Sequence, residues 1–119
     1  MRKKTKKEIE IAEKIEKQLK SKLMYPLDLI TSFEYIKKFS AETDPDYEQK
    51  RFKYLFDSMP EGYEIYTCCM YIGHQGVPDV FLMVFDTALE TIIFIEDFYA
   101  VRKAASSKHP LSIAAWKRF

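Results

Sequence analysis

Asp79-Val80-Phe81-Leu82-Met83-Val84-Phe85-Asp86 is the stretch whose reading decides the fold. Six apolar residues run without a break between two acids. That run is too short for a globular helix and rich in β-preferring types, which makes it a strand. A strand with one face in water would alternate apolar and polar residues, whereas a run that is apolar at every position is covered on both faces. The segment 79–86 is therefore expected to be a central strand.

The neighbours of this strand read outward from it. Tyr63 to Ile72 is rich in aromatic and β-branched types, and Gly73-His74-Gln75-Gly76-Val77-Pro78 between the two runs is dense in turn formers, so two strands joined by a six-residue loop are expected. Thr87-Ala88-Leu89-Glu90 has capping-box spacing, yet Thr91-Ile92-Ile93-Phe94-Ile95 is β-branched. The reading favours a short turn, a third strand over 91–96 and a helix from Asp97 to about Ser107. Pro110 ends that helix. Leu111 to Phe119 is expected to add one or two helical turns, with Trp116 and Phe119 as anchors.

The first half of the chain reads as helical. Thr5-Lys6-Lys7-Glu8 fits a capping box. Ile11, Ile15, Leu19 and Leu23 recur every four residues and make a narrow apolar stripe. Glu10–Lys14, Glu13–Lys17 and Glu16–Lys20 are spaced for ion pairs along the helix, each worth a few tenths of a kcal/mol. Pro26 suits the first turn of a second helix with Leu29, Ile30, Phe33, Ile36 and Phe39 on its apolar face. Pro45 opens a third, capped by Thr43 or Asp44, with Tyr47, Phe52, Leu55, Phe56 and Met59 apolar and Met59-Pro60-Glu61-Gly62 as its stop.

The fold expected is a single α+β domain over 1–119: N-terminal helices packed on a small three-stranded antiparallel sheet, closed by a C-terminal helix. Its core is expected at Ile15, Leu19, Phe33, Ile36, Phe52, Leu55, Val80, Leu82, Val84, Ile93 and Ile95. With 47% hydrophobic and 15% aromatic residues the chain is too apolar for disorder.

Charge is sorted along the chain. Residues 1–22 carry a net +5, residues 98–119 carry five bases and no acid, and the stretch between carries a net −9. Such basic ends either fold back on the acidic centre or are presented to an anionic partner.

Nothing in the sequence names a reaction. Cys68 and Cys69 are adjacent, face opposite sides of any strand and lack an activating motif, so a Cys–His pair with His74 is disfavoured and each thiol is expected to be buried and structural. His74 and His109 are too far apart in sequence for a zinc cluster. The acids Asp79, Asp86, Glu90, Glu96 and Asp97 fall at strand ends. Pro78-Asp79 begins a restriction-nuclease pattern, but Phe98 stands where the second half needs lysine. Three glycines cannot build a phosphate cradle. No catalytic residue, metal ligand or cofactor is expected. No apolar run reaches the length of a membrane span, and helix one lacks Trp and Phe on its apolar face, so no membrane role is expected. No apolar signal region follows the basic N-terminus, and adjacent cysteines need no disulfide, which sets the expectation of a cytoplasmic protein.

Two binding readings follow. The first is a small non-enzymatic regulator acting through protein–protein contacts. In its most specific form it is an inhibitor of a nucleic-acid-handling protein, presenting the acidic face Glu42, Asp44, Asp46 and Glu48 to an unknown protein partner. The alternative is nucleic-acid binding through Arg2, Lys3, Lys4, Lys6, Lys7, Arg102, Lys103, Lys108, Lys117 and Arg118. A helix-turn-helix formed by the second and third helices, with Gln49, Lys50, Arg51 and Lys53 toward DNA, is opposed by Asp46, Glu48 and Asp57 on the same helix. Either a monomer or a homodimer is compatible with the pattern, because the stripe of helix one loses register at Lys22 before a long coiled coil could form.

Overall fold

The computed structural model describes residues 4–23, 31–40, 50–73 and 76–119. It is an α+β fold built on a five-stranded antiparallel meander in the order β1-β2-β3-β4-β5, with helices on both faces. The strands are β1 (Thr31–Lys38), β2 (Tyr63–Ile72), β3 (Asp79–Asp86), β4 (Thr91–Asp97) and β5 (Lys117–Arg118). The helices are α1 (Lys6–Lys22), α2 (Lys53–Ser58) and α3 (Phe98–Ala104), with a 3-10 turn at Ile113–Ala115.

β3 is the middle strand, and Leu82, Met83, Val84 and Phe85 are all fully buried. Successive side chains leave a strand on opposite faces. Met83 and Phe85 join Tyr66, Cys68 and Met70 of β2 and Ile92 and Ile95 of β4 on one face, where Ile15 and Leu19 of α1 close the cluster. Leu82 and Val84 join Ile65 on the other, against Phe39, Phe52, Leu55, Val101 and Trp116. The uninterrupted apolar run is thus explained by one core above β3 and another below it.

The helix expected from Pro26 to Phe39 is corrected: Thr31–Lys38 is the edge strand β1, antiparallel to β2. Its start, with Pro26, Leu29 and Ile30, lies outside the described residues. Phe33 and Ile36 are three residues apart and both face α1. A regular strand cannot do that, but β1 carries a bulge: three steps from Glu34 to Lys37 match two steps from Cys69 to Thr67. Tyr35 is the hinge, with φ at +55°. The extra residue restores Ile36 to the face of Phe33, and the resulting spacing imitates a helical one. Phe39, three further on with no second bulge, falls on the opposite face. The helix-turn-helix reading ends with this correction. β4 uses the same device, with Ile93 as the residue inserted between the pairs Phe94–Val84 and Ile92–Phe85.

The third helix survives in its described part as α2, which buries Phe52 and Leu55 beneath it. Its expected opening at Thr43, Asp44, Pro45 and Tyr47 lies outside the described residues. α3 begins where expected, capped by the Asp97 carboxylate, which accepts from Ala100 N–H at 2.9 Å. Helical turns expected over Leu111–Phe119 reduce to the 3-10 turn. The chain then pairs with β4 as β5, so β1 and β5 together raise the sheet from the three strands expected to five, and the chain ends on a strand rather than on the closing helix expected. Trp116 is the anchor expected there, buried to 3% exposure. Of the expected core, Val80 and Ile93 are only half-buried.

α1 is capped by Thr5, whose Oγ1 accepts from Glu8 N–H at 3.1 Å. Only Glu16–Lys20 of its three expected ion pairs is formed, at 3.5 Å. Lys14 instead reaches across to Glu90 in the β3–β4 turn. Gln18 completes the attachment. Its amide donates to the Glu90 carbonyl at 2.9 Å, and its Oε1 accepts from Ile92 N–H at 2.8 Å.

Candidate binding surfaces

The acidic residues Glu42, Asp44, Asp46 and Glu48 lie outside the described residues, as do Arg2, Lys3, Gln49 and His74. The remaining basic candidates fall into separate groups. Lys4, Lys6 and Lys7 are exposed at the start of α1. Lys117 and Arg118 lie on β5, whose end meets the other end of α1: Lys22 Nζ donates to the Phe119 carbonyl at 2.8 Å and sits 5.0 Å over the Phe119 ring. A 17-residue helix at about 1.5 Å per residue holds these groups some 25 Å apart. Lys103 and Lys108 are exposed on and after α3, and Arg102 is half-buried. Among the described residues the basic groups at the two ends of α1 do not form one patch.

Among the described residues the ion pairs include Lys14–Glu90, which joins the basic N-terminal stretch to the acidic centre, Lys20–Glu16, Lys38–Glu64 and Lys53–Asp57. Lys4, Lys6, Lys7, Lys103, Lys108, Lys117 and Arg118 enter none of them. Arg118 instead packs over the Phe94 ring at 5.9 Å.

The cysteines face opposite sides of β2 as alternation requires. Cys68 is fully enclosed in the α1-side core, and burial pushes its thiol up to about 12, which leaves it protonated and inert. Cys69 is only half-buried, unlike the expectation for both thiols, and its thiol is also raised, chiefly by burial. His109 is exposed beyond α3. Among the described residues no group of three or more His, Cys, Asp or Glu is placed to hold a metal ion. No helix among them is long and apolar enough to cross a membrane.

Two concavities stand on the face opposite α1. The first, of about 520 Å³, lies between α2 and the segment 110–114. Its walls are mainly Tyr54, Met59, Pro60, Tyr63, Phe94 and Ile113. Among the described residues the buried Tyr54 hydroxyl has no hydrogen-bond partner, and burial raises its pKa. The second, of about 470 Å³, lies toward β1, where the helical cover stops at Phe98. The sequence signalled neither, because each is lined by segments far apart in the chain that meet only on folding.

Comparison with protein-family models, curated proteins and solved structures finds no match to this chain.

Proposed function

We propose that this is a small non-enzymatic binding or regulatory protein acting through protein–protein contacts, in its most specific form an inhibitor of a nucleic-acid-handling protein. The observation that supports this reading is the 520 Å³ apolar concavity between α2 and residues 110–114. Binding energy at interfaces concentrates where an aromatic or aliphatic anchor fills a desolvated pocket. Met59 supplies an adaptable wall. The acidic run Glu42, Asp44, Asp46 and Glu48 would add steering toward a basic partner surface.

The test is quantitative partner capture with the wild-type chain, with Met59→Arg, and with all four acids of that run changed to Lys. A partner retained by wild type and by a Lys103→Glu control but lost by Met59→Arg supports the pocket. Loss from the four-acid variant supports the acidic face. Equal capture by every variant sinks the reading.

A second reading, nucleic-acid binding through the basic termini, is favoured by the exposed cations that form no ion pair among the described residues. Titration against duplex DNA and single-stranded RNA between about 50 and 200 mM salt tests it through the steep salt dependence of counterion release. Binding that weakens steeply, and further with Lys6→Glu and Lys117→Glu, supports it. No binding at the low-salt end overturns it.

A further inference from the structure

The second concavity is chemically unlike the first. Its floor is Thr67 and Cys69 of β2 with Val80 of β3, Phe39 and Phe98 form its apolar side, and Tyr35, Lys37 and Lys4 stand at its open edge. Phe39 and Phe98 meet edge-on, 6.1 Å apart at 64°. Among the described residues its lining carries two cations and no acid. Thr67 is 7% exposed, and its buried hydroxyl has no hydrogen-bond partner among the described residues. Buried polar groups in folded proteins are nearly always satisfied, so an orphan hydroxyl on a residue that lines a cavity calls for a partner that the described residues do not supply. Tyr35 points the same way. A non-glycine residue at positive φ is disfavoured, and such strain concentrates at ligand sites. The bulge that imposes it leaves the tyrosine 68% exposed at the mouth, where a planar ring can stack on it.

We propose that this cavity binds an aromatic anion of the nucleotide class. The base would occupy the space beside Phe39, Phe98 and Val80, with an edge atom accepting from the Thr67 hydroxyl. The phosphate would meet Lys4 and Lys37, and the ring face would be covered by Tyr35. A volume of about 470 Å³ lies within the roughly 300–1,000 Å³ of small-ligand sites. A free nucleotide and one unit of a single strand offer the same chemistry. Aromatic stacking beside a positively charged groove is how single strands are held without sequence readout.

The experiment is a two-dimensional amide NMR titration of the full chain with AMP, inorganic phosphate and an oligo-dT. AMP should shift the amides of Tyr35, Lys37, Thr67 and Cys69. Thr67→Val should weaken it about two- to tenfold, the worth of one hydrogen bond. Lys37→Glu should weaken it about tenfold or more, by replacing a charge-assisted contact with a repulsion. Lys4→Glu, in the exposed segment before α1, gives the same test if Lys37→Glu does not fold. Shifts at these residues from oligo-dT that exceed those from AMP would identify a single strand as the source, and shifts from AMP alone would identify a free nucleotide. No shift with AMP at millimolar concentration overturns the proposal, as does equal binding of phosphate alone. Oligo-dT shifts confined to Lys103, Lys108 and Lys117 also overturn it while leaving the basic-terminus reading intact. AMP binding in the cavity with no salt-dependent binding of polymer does the reverse.

Discussion

Gln18 does more for the docking of α1 than any charge on that helix, and replacing it should show this. Its Oε1 accepts from Ile92 N–H at 2.8 Å and from the Thr91 hydroxyl at 3.3 Å, while its amide donates to the Glu90 carbonyl at 2.9 Å. Ile92 is 3% exposed and lies beside the β4 bulge, so its amide is cut off from water once the side chain is gone. Gln18→Leu keeps helix propensity and volume but removes all three contacts. Losing two good hydrogen bonds costs about 0.5–1.5 kcal/mol each, and an orphaned buried amide raises the penalty toward about 1–3 kcal/mol. The expected loss is about 2–4 kcal/mol, out of the ~5–15 kcal/mol that holds a domain of ordinary stability. Gln18→Glu retains the acceptor and loses the donor, so it should fall in between. Lys14→Ala breaks the neighbouring ion pair with Glu90, whose side chains are 45% and 52% exposed, and should cost no more than about 1 kcal/mol. Urea denaturation read by circular dichroism measures all three, and hydrogen exchange at Ile92 supplies a local check. If Gln18→Leu is no more damaging than Lys14→Ala, the side-chain bridge does not hold the helix and the reasoning is wrong.

Other perturbations test other parts of the fold. Leu82→Ala, at a fully buried position in the middle strand, should cost about 2–5 kcal/mol, and a change under about 1 kcal/mol would contradict its central placement. Tyr35→Gly should be neutral or stabilise by up to about 1 kcal/mol, since relief at φ +55° offsets the added freedom of the unfolded chain, and a clear loss in the same urea assay would refute the strain. Iodoacetamide at mildly alkaline pH should modify Cys69 and spare Cys68 in the folded protein; equal labelling by mass spectrometry would contradict their placement on opposite faces. Stability should hold up to about pH 9 and then fall as pH rises toward about 12. The unfolded Cys68 thiol ionises near its ordinary value of 9, while the buried one keeps its proton until about 12. Cys68→Val should make that alkaline fall shallower, and an unchanged slope in pH-dependent urea midpoints would rule the thiol out as its source.

The parts of this fold that could be read from the chain are those whose side chains obey one period. β3 declares itself by six apolar residues in a row because two separate cores claim it. α1 declares itself by a four-residue repeat, and Ile15 and Leu19 are indeed fully buried. Where a bulge intervenes the period fails. Tyr35 at positive φ sets Phe33 and Ile36 three apart on one face, and the edge strand then looks like a helix. Ile93 does the same between Ile92 and Ile95, but there the β-branched run outweighed the spacing. β5 carries only two paired residues, too few for any pattern, and is placed by Trp116 beneath it and by Phe119 N–H donating to the Ile93 carbonyl at 3.0 Å. Bulges are three-dimensional accommodations, and a one-dimensional period is blind to them.

The same limit explains why the surfaces were harder to read than the core. Charge sorting along the chain was plain, yet it could not say that α1 would hold the two basic ends apart, or that the acid meeting Lys14 would be Glu90 rather than Glu10. The β1-side cavity depends on where the described helical cover ends: α2 and α3 close the region around Leu82 and Val84, and beyond Phe98 the described residues leave Thr67, Cys69 and Val80 lining a cavity. No motif encodes that cavity. What the sequence does encode is its chemistry: Lys37 and Thr67 are cross-strand partners, and the bulge that turned Ile36 inward is what left Tyr35 standing at the rim. One inserted residue in β1 thus completes the core against α1 and sets an aromatic side chain at the mouth of the cavity. A variant that deletes Tyr35 should therefore disturb both at once, whereas Tyr35→Gly should keep the core and remove only the ring.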